Sequence, residues 1–165
     1  MTAAPPSTTS LATVTAQIVN PLIEAALETF DVMLECQSTR KELTRKTRET
    51  KMYPVTAVIG LSGQVTGSIC VSLSLEATFS AVKRMIDVDV DELPGLAADA
   101  VAELANIIAG TAKNKLSSYT LELGLPSVIT GDDHDIAFPS NSNPLCVAFE
   151  SEIGPFLIAF GFVGS

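Results

Sequence analysis

Apolar residues recur at intervals of three or four in three segments of the chain, which predicts three amphipathic helices. The first runs from about Val14 to Met33, and Pro21 inside it marks either a kink or the true first turn. The second follows Ser74, a suitable N-cap residue, and continues to about Ile86. The third, at residues 99–113, is the most regular. Helices therefore account for the start and the middle of the chain.

Strand patterns fill the segments between and after these helices. Two apolar runs within Pro54–Leu75 flank a turn rich in glycine and polar residues at 60–67, which predicts a β-hairpin. The turn has no following Gly-Lys-Ser/Thr and does not open a helix, so we do not interpret it as a phosphate-binding loop. Further strands are predicted at 127–130, 145–151 and 156–163, with a tight turn at Glu152–Pro155 between the last two.

The remaining segments are polar. Residues 1–12 are rich in Pro, Ser and Thr and are predicted to form a disordered tail, and residues 87–95 form an acidic connector. Residues 34–52 are charged, and we interpret them as an exposed strand or ribbon whose Lys and Arg protect a sheet edge from aggregation. Because helices alternate with hairpins in a single domain at 13–165, the predicted fold class is α+β with a mostly antiparallel sheet. The basic residues of the charged segment are Arg40, Lys41, Arg45, Lys46, Arg48 and Lys51.

Composition and charge restrict the class of protein. The 165 residues are 47% apolar and 18% charged, as in a single domain with a sizeable core. A formal net charge of −9 argues against binding to nucleic acid or to anionic membranes. No apolar run approaches the roughly 20 residues needed to span a bilayer, and the first residues do not resemble a secretory signal. Cys36, Cys70 and Cys146 are scattered like reduced thiols, so we expect a cytoplasmic protein.

On a helix of about 3.6 residues per turn, residues 99–113 separate into a polar stripe and an apolar face. A carboxylate at Glu103 and a carboxamide at Asn106 project together from this stripe, and Gly110, one turn further on, removes a side chain that would crowd the amide. The stripe therefore predicts an open polar patch that another surface can approach closely. Its members are Asp99, Glu103, Asn106, Gly110 and Lys113, and the opposite face carries Val101, Leu104, Ala105, Ile108, Ala112 and Leu116.

In most proteins such a stripe is simply the solvated side of an amphipathic helix. Two residues argue against that interpretation here. Asn is a mediocre helix former and Gly costs about 1 kcal/mol relative to Ala, yet Asn106 and Gly110 lie in mid-helix among alanines and isoleucines. Because departures from local propensity are concentrated at functional sites, the stripe is the candidate site of this chain.

The sequence Asp99-x-x-x-Glu103-x-x-Asn106, continued by residues 107–113, resembles the signature helix of the CheC/CheX/FliY phosphatases of bacterial chemotaxis. Further segments of the sequence resemble segments of the CheX branch, and they occur in the same order along the chain. The resemblance covers roughly residues 18–163 and implies a CheX-like fold, in which helices pack against a long, mostly antiparallel sheet. The further segments are 20–25 with Phe30 and Met33 in the first helix, 57–63 with 67–74 in the hairpin, and 126–131 after the signature helix.

The resemblance implies a phosphatase that acts on a phosphorylated response regulator, which is a CheY-like receiver. Asn106 is then expected to hold a water in line with the scissile bond, and Glu103 to pair with the regulator's lysine near the phosphate. Asp99, Gly110 and Lys113 are expected to belong to the surface that docks the partner. The chain itself is expected to need neither a cofactor nor a metal, because the regulator carries Mg²⁺.

The resemblance also implies a homodimer formed through sheet strands. The alternating apolar residues of 145–151 and 156–163 offer surface for it, unless the domain's own helices cover them. The CheC branch carries the signature twice, but the first helix here reads Glu24-Ala-Ala-Leu27, with Leu where Asn is needed. We therefore expect one active site per chain.

Two other classes of function stay open. A CheX-like domain could bind a receiver or assemble a complex without hydrolysis. A sensor could instead hold a small ligand or metal in the acidic loop 132–135 around His134, the only histidine, although adjacent loop residues rarely converge on one ion and a solvated loop is favoured. With a single imidazole and no nucleophile elbow, the chain offers no conventional nucleophile–base pair.

Overall fold

The computed structural model describes residues 8–92 and 95–164, with side chains from Gln17 onward. This part of the chain forms three helices and seven strands, so the α+β class is confirmed. The elements are α1 (Thr8–Leu34), β1 (Ser38–Arg45), β2 (Val55–Gly63), β3 (Val65–Leu73), α2 (Leu75–Ile86), α3 (Leu96–Lys115), β4 (Leu121–Leu123), β5 (Ser127–Thr130), β6 (Leu145–Ser151) and β7 (Phe156–Gly164).

The strands form one sheet in the order β1-β6-β7-β3-β2-β4, and β5 also pairs with β2. Every strand pair in the described residues is antiparallel. β2 and β3 form the predicted hairpin, with Val55 opposite Leu73 and Leu61 opposite Gly67. The three-residue strand β4 has no counterpart in the sequence-based prediction.

The main core lies between the sheet and the three helices. Phe30 of α1 stacks on Phe156 of β7 with ring centroids 4.0 Å apart, and Phe156 stacks on Phe149 of β6 at 4.6 Å. Ala25 and Ala105 are fully buried in this core, one from α1 and one from α3, and such small side chains allow two helices to lie close together. The packing leaves α3 with one face on the core and the other toward solvent.

A second, smaller cluster covers the far side of the sheet, because alternate strand residues point to opposite faces. Loops at 46–54 and 131–144 contribute to it. Lys46 belongs to this layer, so the prediction that it protects an exposed edge is wrong. Its side chain is only 4% exposed, and its Nζ lies 2.6 Å from Asp135 Oδ1. The buried apolar residues of the cluster are Met52, Cys70, Ile136, Cys146, Leu157 and Ala159.

The start of the first helix differs from the prediction. α1 begins at Thr8, so residues 8–12 of the predicted disordered tail are helical and the single-domain boundary at 13 falls inside α1. Residues 1–7 lie outside the described part. Pro21 is thus an interior residue of α1 rather than its first turn.

The pairing of β2 with β3 ends at Leu61 opposite Gly67, close to the predicted turn at 60–67. Within that segment only Gln64 lies outside a strand, because β2 continues beside β4 and β3 begins beside β7. The glycine at 67 serves close strand packing rather than turning: a Cβ there would lie 2.0 Å from the carbonyl oxygen of Gly161 on β7. Ser74 caps α2 as predicted, with its Oγ accepting a hydrogen bond of 3.1 Å from the Ala77 backbone N–H.

Strands β6 and β7 are not available to a partner chain in the way that their sequence suggested. They lie inside the sheet, with β1 and β3 as their outer neighbours. Their alternating apolar side chains are covered by the chain's own core, so the interpretation that they leave apolar surface for a second chain is wrong. The side chains concerned are Val147, Phe149, Phe156, Ile158, Phe160 and Phe162, each at most 1% exposed.

The candidate functional site on helix α3

Helix α3 presents the predicted stripe on its solvent side. Asp99, Glu103, Asn106 and Lys113 are exposed and Gly110 is half-buried. The helix is held against the core by its opposite face, which fixes the direction in which the stripe points. The buried residues of that face are Ala97, Ala100, Val101, Leu104, Ala105, Ile108, Ala109 and Ala112.

The two ends of α3 account for part of the stripe through helix stability alone. The helix begins after Gly95, which has φ 84° and offers no side-chain cap, so Asp99 in the first turn complements the free N–H groups. Lys113 and Lys115 lie in the last turn, where positive charge is favourable. Neither argument applies to Glu103 or Asn106, which lie in mid-helix.

The polar groups of the stripe are uncommitted. Within the described residues, the side chains of Asp99, Glu103, Asn106 and Lys113 have neither a hydrogen-bond partner nor an ion-pair partner. Glu103 and Asn106 are separated by about 4.5 Å along the helix axis, from three residues at about 1.5 Å each. An amide that both donates and accepts hydrogen bonds is therefore displayed beside a carboxylate, and both are free to contact a ligand or partner.

Gly110 is not required by the packing of this chain. A Cβ placed on it meets no atom within 4 Å, and the residue is helical. Glycine therefore lowers the stability of α3 at this position without serving an internal contact. What it does provide is open space on the stripe one turn beyond Asn106.

The corresponding place on the first helix lacks this chemistry. Leu27 is half-buried and packs against the main core, as an apolar residue should. Glu24 and Glu28 are held by Lys115 of α3, whose Nζ lies 3.9 Å and 3.4 Å from their carboxylates. α1 thus contributes ion pairs to its packing with α3 and presents no carboxamide at this place.

The acidic loop around His134 is engaged within the chain. His134 Nδ1 lies 2.9 Å from the carbonyl oxygen of Gly131, which can only accept, so Nδ1 donates there, and Nε2 shares a hydrogen bond of 2.7 Å with the Thr56 hydroxyl. The Thr56 hydroxyl lies 2.7 Å from that of Ser72. Among the residues that the structure describes, no three His, Cys, Asp or Glu side chains are grouped to hold a metal ion. The loop thus packs against the far face of the sheet.

Other reactive side chains are equally removed from a nucleophilic role. All three cysteines are free and buried, and desolvation raises the pKa of Cys70 to about 12. None of the described helices is long and apolar enough to cross a membrane. Glu103 and Asn106 of α3, by contrast, are exposed to solvent.

Comparison with known proteins gives consistent matches. The sequence profile described as "Chemotaxis phosphatase CheX" matches residues 55–150. The chain is 29% identical over 121 residues to the CheY-P phosphatase CheX of Thermotoga maritima, covering 72% of this chain and 78% of that protein.

Solved structures share the fold. CheX from Desulfovibrio desulfuricans superposes with a TM-score of 0.81 at 29% identity, covering 89% of this chain and 99% of that one. CheX in the CheX–CheY–BeF₃–Mg²⁺ complex from Borrelia burgdorferi superposes with a TM-score of 0.74, covering 88% of this chain and 97% of that one. At 21% identity, the second match bears on the fold alone.

Proposed function

The chain belongs to the CheX family of chemotaxis phosphatases, and from this premise we propose that it hydrolyses the phosphoaspartate of a phosphorylated CheY-like receiver. The observation that carries the proposal is the pair of free polar side chains, Glu103 and Asn106, displayed on the exposed side of a helix whose other side is fixed in the core. The Thermotoga maritima relative, whose name states this activity, supports it.

Asn106 is the residue that acts on the attacking water. Hydrolysis of a phosphoryl group depends mostly on positioning and on stabilisation of charge, so a neutral amide is sufficient to hold a water in line with the scissile bond. The amide oxygen accepts a hydrogen from the water while the NH₂ group donates toward the phosphoryl oxygens. The receiver supplies the acyl phosphate and Mg²⁺, so this chain needs no cofactor of its own.

Glu103 contacts the receiver beside the phosphoryl group and not the phosphoryl group itself, because a carboxylate and a phosphoryl group repel each other. Its carboxylate pairs with the receiver's lysine near the phosphate. Asn106 lies about one turn further along the helix and therefore faces the phosphoryl group. Asp99 extends the negative end of this surface, Lys113 lies at its other end, and Gly110 leaves room for the receiver's backbone to come close.

Neither the cysteines nor the histidine is placed to form a phosphoenzyme intermediate. Cys36, Cys70 and Cys146 are buried, and His134 uses both ring nitrogens in contacts with Gly131 and Thr56. Direct attack by water on the receiver's phosphoaspartate is therefore the route that these residues support.

The homodimer that the family resemblance implies needs a free sheet edge. β6 and β7 are interior strands; one outer edge is formed by the short strands β4 and β5, and the other by the eight-residue strand β1, whose outer side pairs with no strand of the described chain. The longer edge, β1, offers more backbone to pair with. Two β1 strands paired antiparallel about their centre put Lys41 of each chain opposite Glu42 of the other, which is a favourable cross-strand pair. We propose this arrangement in the cytoplasm, where CheY-like receivers act.

The second candidate function is a module that binds receivers without hydrolysis. The exposed, unpartnered amide of Asn106 argues against it, because docking alone does not need a group that holds water. Purified protein added to the host's receivers, phosphorylated with acetyl phosphate, decides between the two. We expect phosphate to be lost from one receiver at least tenfold faster than in its absence. Binding to a phosphorylated receiver with an unchanged rate of phosphate loss would establish the non-catalytic module.

A further inference from the structure

The three helices of the described chain carry little positive charge. The described helices carry only four basic residues, and three of them are engaged. Lys83 pairs with Asp87 and Asp89, Arg84 donates to the carbonyls of Leu34 and Glu35 at the end of α1, and Lys115 pairs with Glu24 and Glu28. Lys113 is the one whose ammonium has no partner among the described residues.

The position of Lys113 aligns it with the proposed catalytic amide. Lys113 lies seven positions after Asn106, which is about 20° around the helix and about 10 Å along it. The residues three and four positions away from Lys113 are Ala109, Gly110, Leu116 and Ser117, so α3 itself offers no carboxylate within reach. The free cation therefore stands beyond the open space at Gly110.

We propose that Lys113 is a second docking anchor, which pairs with a carboxylate of the receiver on the side of the phosphoryl group opposite to the lysine that Glu103 contacts. This inference rests on the proposed function. Along the helix, the side chains of the stripe are then negative at Asp99 and Glu103, neutral at Asn106 and positive at Lys113. A receiver docked in the reverse direction would meet like charges at both ends, so the order of charges selects the productive orientation.

A lysine in the last turn also stabilises a helix, and the experiment must separate that effect from docking. Helix stabilisation acts on the unfolding midpoint of the isolated protein. Docking acts on the affinity for the receiver and on its salt dependence, and it leaves turnover at saturating receiver unchanged.

The test compares Lys113→Glu, Lys113→Arg and a control, Lys51→Glu, with the parent. Lys51 is exposed in the loop between β1 and β2 and its replacement changes the net charge by the same amount. The probe is the receiver that the protein dephosphorylates, loaded with beryllofluoride and Mg²⁺. We expect Lys113→Glu to weaken binding about tenfold and to raise KM about as much with kcat unchanged. Lys113→Arg and Lys51→Glu should stay within about twofold of the parent.

Equal affinities for Lys113→Glu and Lys51→Glu would overturn the anchor, because net charge alone would then explain the result. A loss of kcat in Lys113→Glu with unchanged KM would also overturn it. If either of these two results is obtained while the parent protein still accelerates dephosphorylation, the docking role of Lys113 is wrong and the proposed function stands. If the parent neither binds nor dephosphorylates any receiver, the proposed function fails together with that docking role.

Discussion

Asn106 and Gly110 lower the intrinsic stability of α3 at positions where its packing gains nothing from them. Asn106 is exposed without a partner in the described chain, and Gly110 has open space where a side chain would go. Ala at either position would favour the helix. Residues that reduce local stability in this way are best explained by what they do for an approaching partner.

Gly110→Ala tests this explanation directly. We expect the variant to be more stable than the parent by about 1 kcal/mol, because alanine favours the helix and the new Cβ meets nothing within the chain. We also expect it to bind the receiver more weakly, since the methyl group occupies space that the partner needs. Urea unfolding and receiver affinity measure the two effects separately. A variant that is more stable and binds as tightly as the parent would show that Gly110 has no role in docking.

The exposure of the stripe residues was predictable from the sequence because helical periodicity is local. The environment of Lys46 was not, because its partner Asp135 is 89 residues away. Lysine in a charged segment suggests an exposed position, and only the folding of the 131–144 loop over the far face of the sheet buries it. Long-range pairs of this kind have no local sequence signal.

At the level of elements, the strands show the same limit. Alternating apolar residues in β6 and β7 correctly predicted strands with a buried face. The alternation does not say what covers that face, and here the chain's own helices do. The glycines at 60–67 correctly indicated where the pairing of β2 with β3 ends, but they did not show that β2 continues to Gly63 by pairing with β4 and that β3 begins at Val65 by pairing with β7.

One ion pair, between Lys46 and Asp135, helps to hold the loop over the far face of the sheet, and its contribution to stability should depend on pH. The hydrogen bond from Lys46 holds the pKa of Asp135 below its usual range. A carboxyl group with a depressed pKa stabilises the fold at pH above its unfolded pKa, and this contribution is lost as the pH falls through the folded pKa. Removing the carboxylate also leaves the buried Lys46 ammonium with a weaker partner.

We therefore expect Asp135→Asn to lower the free energy of unfolding by about 1 kcal/mol near neutral pH, because solvent partly screens the half-exposed carboxylate. The difference from the parent should shrink as the pH falls below the usual carboxyl range. Urea unfolding over a series of pH values measures this, with Asp132→Asn, an exposed neighbour in the same loop, as the matched control. A deficit for Asp135→Asn that stays constant down to acidic pH would contradict the role of the ion pair.

At the scale of the whole molecule, the free edge of β1 should determine assembly. Light scattering should give about twice the chain mass of 17.3 kDa. Glu42→Lys should shift the protein toward monomer, because lysines would then oppose each other across the two β1 strands. The site on α3 is separate from this edge, so the variant should keep its phosphatase rate. A parent protein that is monomeric at micromolar concentration would refute the dimer and leave the chemistry unaffected.

The central claim is that the amide of Asn106 positions the water that hydrolyses the receiver's phosphoaspartate, and one rate comparison tests it. Asn106→Ala is measured beside Asn114→Ala, which removes a second exposed carboxamide from the same helix. We expect Asn106→Ala to lose about 10²-fold or more of the accelerated dephosphorylation rate while it still binds the beryllofluoride-loaded receiver, and Asn114→Ala to keep the parent's rate. If Asn106→Ala dephosphorylates the receiver as fast as the parent does, the mechanism is wrong.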